Sequence, residues 1–152
     1  MMNPVRRRLL LAAMASPVLL RVRAAGAQSA ADVIQPLVQS ITRGAPVREG
    51  RVSVEIPRLA ENANAVPLKV TVDCAMTERD FVRTIHVLSE RNPRPVIAAF
   101  HLNPYSGRAE VSTRVRVNGT QRLHVIAGLS DGSFWSGSAE VEVTALACLD
   151  GS

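Results

Sequence analysis

Two cysteines, Cys74 and Cys148, and three histidines, His86, His101 and His124, are the side chains of this 152-residue chain with the most scope for covalent or acid–base chemistry. Cys148 lies in Leu146-Ala147-Cys148-Leu149-Asp150-Gly151-Ser152, just past an alternating run that reads as a last β-strand. Chain ends are seldom packed down, so a thiol there has access to surfaces beyond its own domain. No base is near it in sequence, and Asp150 slightly opposes its ionisation. Cys74 follows another strand-like run and precedes Ala75-Met76-Thr77-Glu78. Each histidine falls inside a predicted strand, His86 and His101 on neighbouring ones, and reads as a packed or surface residue. No His-Glu-x-x-His or Cys-x-x-Cys spacing supports a zinc site, and no haem-attachment motif is present. There is no Gly-x-Ser-x-Gly elbow, phosphate loop or dinucleotide fingerprint. The carboxylates are scattered singly along strands. These patterns predict a protein without cofactor and without turnover of its own.

The elements that position these residues read as β-strands. Residues 110–117 are the cleanest case: Val111, Thr113, Val115 and Val117 alternate with Glu110, Ser112, Arg114 and Arg116, the period of a half-buried strand. Similar runs cover 51–56, 68–73, 81–88, 96–102, 121–129 and 134–146. In the last of these Ala139, Val141, Val143 and Ala145 share a face against Glu140, Glu142 and Thr144. Turn clusters separate the runs, and Asn118-Gly119 predicts a tight hairpin. Before them, Val33, Ile34, Leu37, Val38 and Ile41 have helical spacing, with Asp32 and Gln35 as a capping box and Gly44 as the stop. The expected fold is all-β: an immunoglobulin-like antiparallel sandwich of about seven strands with a short N-terminal helix. No cysteine pair bridges mid-strand positions, so packing alone must hold the sheets together.

The first 27 residues predict an export signal. Arg6, Arg7 and Arg8 precede the apolar run Leu9-Leu10-Leu11-Ala12-Ala13-Met14-Ala15, and Ala25-Gly26-Ala27 supplies a small-x-small cleavage site. The arginines followed by leucines suggest the twin-arginine type and a periplasmic destination. Pro17, Arg21 and Arg23 break the run well short of the ~20 residues a span needs, so no membrane anchor is expected in the mature form. The chain has 18 Lys+Arg against 13 Asp+Glu, but five of the arginines and none of the acids lie in this segment. The remainder is balanced, and with no basic stripe interleaved with aromatics, nucleic-acid binding is excluded. The expected organisation is signal 1–27, helix and linker 28–46, sandwich 47–145 and cysteine-bearing tail 146–152. Two cysteines in an oxidising compartment leave three arrangements open: a working free thiol at Cys148, a Cys74–Cys148 disulfide, or an intermolecular disulfide.

Several segments together resemble the SoxY family, the sulfur-carrier subunits of the periplasmic thiosulfate-oxidising Sox system. They are Asn64-Ala-Val-Pro-Leu-Lys-Val-Thr-Val-Asp73, Arg91-Asn-Pro-Arg-Pro95, Ala99-Phe-His-Leu102, Ser106-Gly-Arg-Ala-Glu-Val-Ser-Thr-Arg-Val115 and Ser130-Asp-Gly-Ser133. The resemblance implies an immunoglobulin-like sandwich, twin-arginine export, a heterodimer with a SoxZ-like β protein and transient contact with other Sox enzymes. It also implies covalent attachment of sulfur intermediates to Cys148. In that family the cysteine sits on a glycine arm, Gly-Gly-Cys-Gly-Gly. Here Leu146-Ala147 and Leu149-Asp150 flank it, and Cys74 stands where serine is expected. The alternative reading is a binding or structural module in which a Cys74–Cys148 disulfide pins the tail and sulfur loading is lost.

Overall fold

The computed structural model describes residues 30–144. Helix α1 spans Ala30–Thr42 and is followed by strands β1 (Val47–Glu49), β2 (Val52–Glu55), β3 (Leu59–Ala60), β4 (Val66–Val72), β5 (Val82–Ser89) and β6 (Val96–His101). A 3-10 turn at Pro104–Ser106 leads to β7 (Glu110–Val115), β8 (Gln121–Leu129) and β9 (Phe134–Val143). One sheet has the order β1-β9-β8-β5-β6, with β3 also on β9; the other is β2-β4-β7. Between them lies a core built mainly of β-branched residues and leucine, among them Val66, Val70, Val82, Ile85, Val87, Leu123, Val125 and Val141. The architecture is the expected immunoglobulin-like sandwich. No helix among the described residues is long and apolar enough to cross a membrane.

Three local expectations are corrected. The strands number nine among the described residues, and β1 and β3 run parallel to β9 rather than antiparallel. The chain leaves one sheet after β1, pairs in the other as β2, and returns as β3, so two short parallel edges flank one long strand. The Asn118-Gly119 turn is not a hairpin: β7 pairs with β4 and β8 with β5 and β9, so the turn crosses between sheets. Its amide is taken by Asn92 Oδ1 at 2.8 Å instead of by a hairpin ladder. Asp32 lies inside the helix rather than at its N-cap position. It stands within the first turn, where a negative charge suits the helix dipole. At the other end Arg43 adopts φ 54° and Gly44 φ 82°, and the Gly44 N–H donates to Gln39 O at 3.1 Å. The stop is thus shared by two left-handed residues.

Helix α1 lies on the outer face of the larger sheet. Pro36 removes a backbone bond from its interior, at a cost of ~3 kcal/mol. Burial of Ile34 against Leu88 and Ile126, at roughly 1.5–3 kcal/mol for each side chain, outweighs that loss. Leu37, Val38, Ile41, Val47 and Phe134 complete this second cluster.

Candidate functional site

Of the predicted site residues, Cys148 lies outside the described residues, so the site is built from its base. Strand β9 is held on both sides up to its end. The Glu142 N–H donates to Arg58 O at 2.8 Å and the Thr144 N–H to Ala60 O at 3.2 Å. On the other side the Val143 N–H donates to Thr120 Oγ1 at 3.0 Å. A strand with partners on both edges is a stiff post, and Cys148 follows only four residues beyond Thr144.

The loops around this post are braced by an amide network. Gln121 Oε1 accepts from the buried Ser89 hydroxyl and from the Arg91 N–H at 3.1 Å. Gln121 Nε2 donates to Asn92 Oδ1 at 3.1 Å, and Asn92 Nδ2 to Arg116 O at 2.8 Å. Asn118 Nδ2 donates to Arg91 O at 3.3 Å. The Arg91 guanidinium closes the set through Nη1, which donates to Thr120 O at 2.9 Å. Every buried side-chain polar atom among the described residues has a partner, the condition under which such a network rigidifies rather than weakens a structure. Sequence reading singled out none of these residues as a unit. Gln121 lies 32 residues from Ser89 and 29 from Asn92, and no local pattern links them.

Cys74 is at the other end of the sandwich. The Asp73 N–H donates to Arg51 O at 2.7 Å, and the Arg51 guanidinium stacks 4.8 Å from the centre of the Trp135 ring, at the start of β9. Met76, at φ 53°, folds the following loop back so that the Cys74 thiol donates to Asp80 Oδ1 at 3.6 Å. Burial, with the charge of Asp80 adding to it, pushes the thiol pKa up. Cys74 packs against the main core and makes no disulfide among the described residues.

The three histidines lie on the adjacent strands β5, β6 and β8. His124 Nε2 is 2.8 Å from Glu90 Oε1, and Arg122 pairs with Glu140 beside it. His124, Glu90 and Arg122 line a groove of about 880 Å³ between α1 and the sheet, with Ile34, Val38 and Ser138. His86 and His101 sit on adjacent strands as expected, diagonal to one another, since His86 is opposite Ala99 and His101 opposite Thr84. Burial and then the neighbouring His101 lower the pKa of His86. Among the described residues no three of His, Cys, Asp and Glu converge as metal ligands would.

An immunoglobulin-like sandwich with a stiff C-terminal strand defines the class. The chain matches the family "Sulfur oxidation protein SoxY" over residues 38–148, and it belongs to that family. Among solved structures it is similar to the sulfur carrier protein SoxY from Chlorobium limicola f thiosulfatophilum. The two share 25% identity with a TM-score of 0.60, covering 74% of this chain and 96% of that one. Superoxide reductase (neelaredoxin) from Ignicoccus hospitalis is similar at 15% identity and TM-score 0.55, over 62% of this chain and 80% of that one. A putative superoxide reductase from Thermotoga maritima is similar at 16% and 0.56, over 66% and 89%. The likeness to the reductases is one of fold alone. No curated protein matches.

Proposed function

We propose that this protein is an exported sulfur carrier that holds oxidation intermediates on Cys148, as a persulfide or S-sulfonate, for separate enzymes to act on. It performs no turnover of its own and pairs with a SoxZ-like β protein in the periplasm. Family membership supports the carrier role, and the family match reaches as far as residue 148. The observation that carries the choice of cysteine is the separation of the two thiols' anchor points. Cys74 is tied to the start of β9, whereas Cys148 follows its end by five residues in sequence. The nine residue steps from Trp135 to Thr144, just past the end of β9, span ~30 Å. Four extended residues beyond Thr144 reach at most ~14 Å. A disulfide needs Cα atoms about 4.4–6.8 Å apart. This shortfall favours a free Cys148 over an intrachain disulfide, and the raised pKa of Cys74 disfavours its own thiolate.

The test is the intact mass of the protein purified from its native host, with and without reductant. The expected result is a chain beginning after residue 27 with added sulfur or sulfite units on the Cys148 peptide, removed by reductant. A mass lower by two hydrogens, with Cys74 and Cys148 in one crosslinked peptide, refutes the proposal.

A further inference from the structure

The larger sheet ends at β6, and no backbone hydrogen bond among the described residues reaches the outer side of that strand. The Leu102 N–H donates to Arg83 O at 3.0 Å, toward β5. Backbone groups alternate between the two sides of an antiparallel strand, so those of Ala99 and His101 face outward. Open edges are usually blunted by shortness, charge or a bulge. Strands β1 and β3 are only three and two residues long. Strand β2 carries Glu55, and β7 carries Glu110 and Arg114. Strand β6 has a bulge near its start, where the register on β5 shifts between Val87 and Leu88. Beyond it residues 98–102 run regularly, and residues 96–102 include no Asp, Glu, Lys or Arg.

Both ends of this edge carry exposed apolar side chains. Val96 is 40% exposed at its start, and Tyr105 is 84% exposed in the 3-10 turn that follows it. The Tyr105 hydroxyl donates to Glu78 Oε1 at 3.2 Å, one tether on an otherwise open ring. The other exposed large apolar side chain among the described residues is Leu59, beside β9.

We infer that β6 is a self-association edge, on which a second copy of this chain pairs antiparallel about a two-fold axis at Phe100. The regular stretch sets that axis. Ala99 and His101 then exchange backbone bonds with His101 and Ala99 of the second copy, so every outward group of the two residues finds a partner. The side chains fit the same axis, which is why the occupant is a copy rather than an unrelated strand. Phe100, half-buried on the core side, meets Phe100 of the second copy, and aromatic pairs across strands are favourable. Ala98 faces Leu102 and Ala99 faces His101, so small residues oppose larger ones and no charge meets its like. Val96 of one copy comes opposite the turn that carries Tyr105 of the other, so the two exposed ends cover each other. One patch serves both copies, as a two-fold interface requires. Nothing in this pairing depends on what Cys148 carries.

The test is sedimentation velocity of the exported protein with Cys74→Ser and Cys148→Ser, which excludes disulfide dimers, at concentrations from ~5 μM to ~0.5 mM. A reversible monomer–dimer equilibrium is expected. Ala99→Pro removes an N–H that points away from β5, so the monomer keeps its fold, checked by thermal unfolding, while the dimer loses bonds on both sides of the axis. Its dissociation constant should rise at least ~10-fold. If Ala99→Pro fails to fold, Ala99→Lys sets a charge at the same exposed position and is read in the same way. Disulfide trapping reads the register. A mixture of Ala99→Cys and His101→Cys chains should crosslink, and Ala99→Cys alone should not, because only the mixed pair comes within reach of a disulfide. A chain that stays monomeric throughout the range, its edge taken up only by a different β protein or by none, overturns the inference. So does a dimer of undiminished affinity in the folded edge variants, or crosslinking of Ala99→Cys to itself in place of the mixed pair.

Discussion

Cys74 shows how far surroundings decide what a thiol does. Its Sγ is part-buried, faces the Asp80 carboxylate and packs on the core, so the reactive thiolate is disfavoured. Alkylation with iodoacetamide at pH 8 is therefore expected to label Cys148 several-fold faster than Cys74, read from the masses of the two peptides. Equal rates would remove the case for separate roles. The position of Cys74 after a strand was legible in the sequence. The approach of Asp80 was not, because it depends on the left-handed turn at Met76, a conformation that side chain does not advertise. Arg91 was likewise legible only as the first residue of a segment that resembles the family. Its bonds to Thr120 and Asn118 arise between loops 27 or more residues apart.

At the scale of elements, β9 is the spine. It pairs with β8 along most of its length and takes β1 and β3 on its outer edge. Between those two contacts the chain crosses as β2 to the other sheet, and the crossing passes over Gly137. A Cβ at Gly137 would lie 2.5 Å from Val52 O, a backbone atom that cannot swing aside. Gly137→Ala should therefore lower stability by ~1–3 kcal/mol, the usual cost of overpacking. Thermal unfolding measures it, and an unchanged midpoint would mean that the crossing is loose. In the sequence Gly137 reads as a gap in the alternation of the last strand. That the gap admits another strand's backbone follows only from the parallel edges, which period-two patterning does not encode.

At the scale of the whole molecule, the fold has two unlike ends and one helix-covered face. His86 lies on that face, opposite Ile126 on β8 and diagonal to His101 on β6. Its pKa is held below the ordinary 6.5 by burial and then by His101, so below pH 6.5 the unfolded chain takes up the proton first. Stability contributed by neutral His86 is thus complete above that pH and falls as the pH drops through the folded pKa. Unfolding midpoints measured from pH 7.5 to 5 should decline on acidification, and His86→Gln should flatten the decline; an identical slope in the variant would assign the effect elsewhere. The amino-acid order by itself determined the sandwich, the helix and the strand that leads to Cys148. Each rests on local periodicity, and alternating apolar residues leave few ways to bury a face. Only the tertiary structure decided that Cys74 and the end of β9 lie at opposite ends, that β1 and β3 run parallel to β9, and that Arg91 is linked through Thr120 to the end of β9. Those relations depend on which distant segments meet across the core, and burial of apolar faces rewards the meeting without recording it in any short stretch of residues.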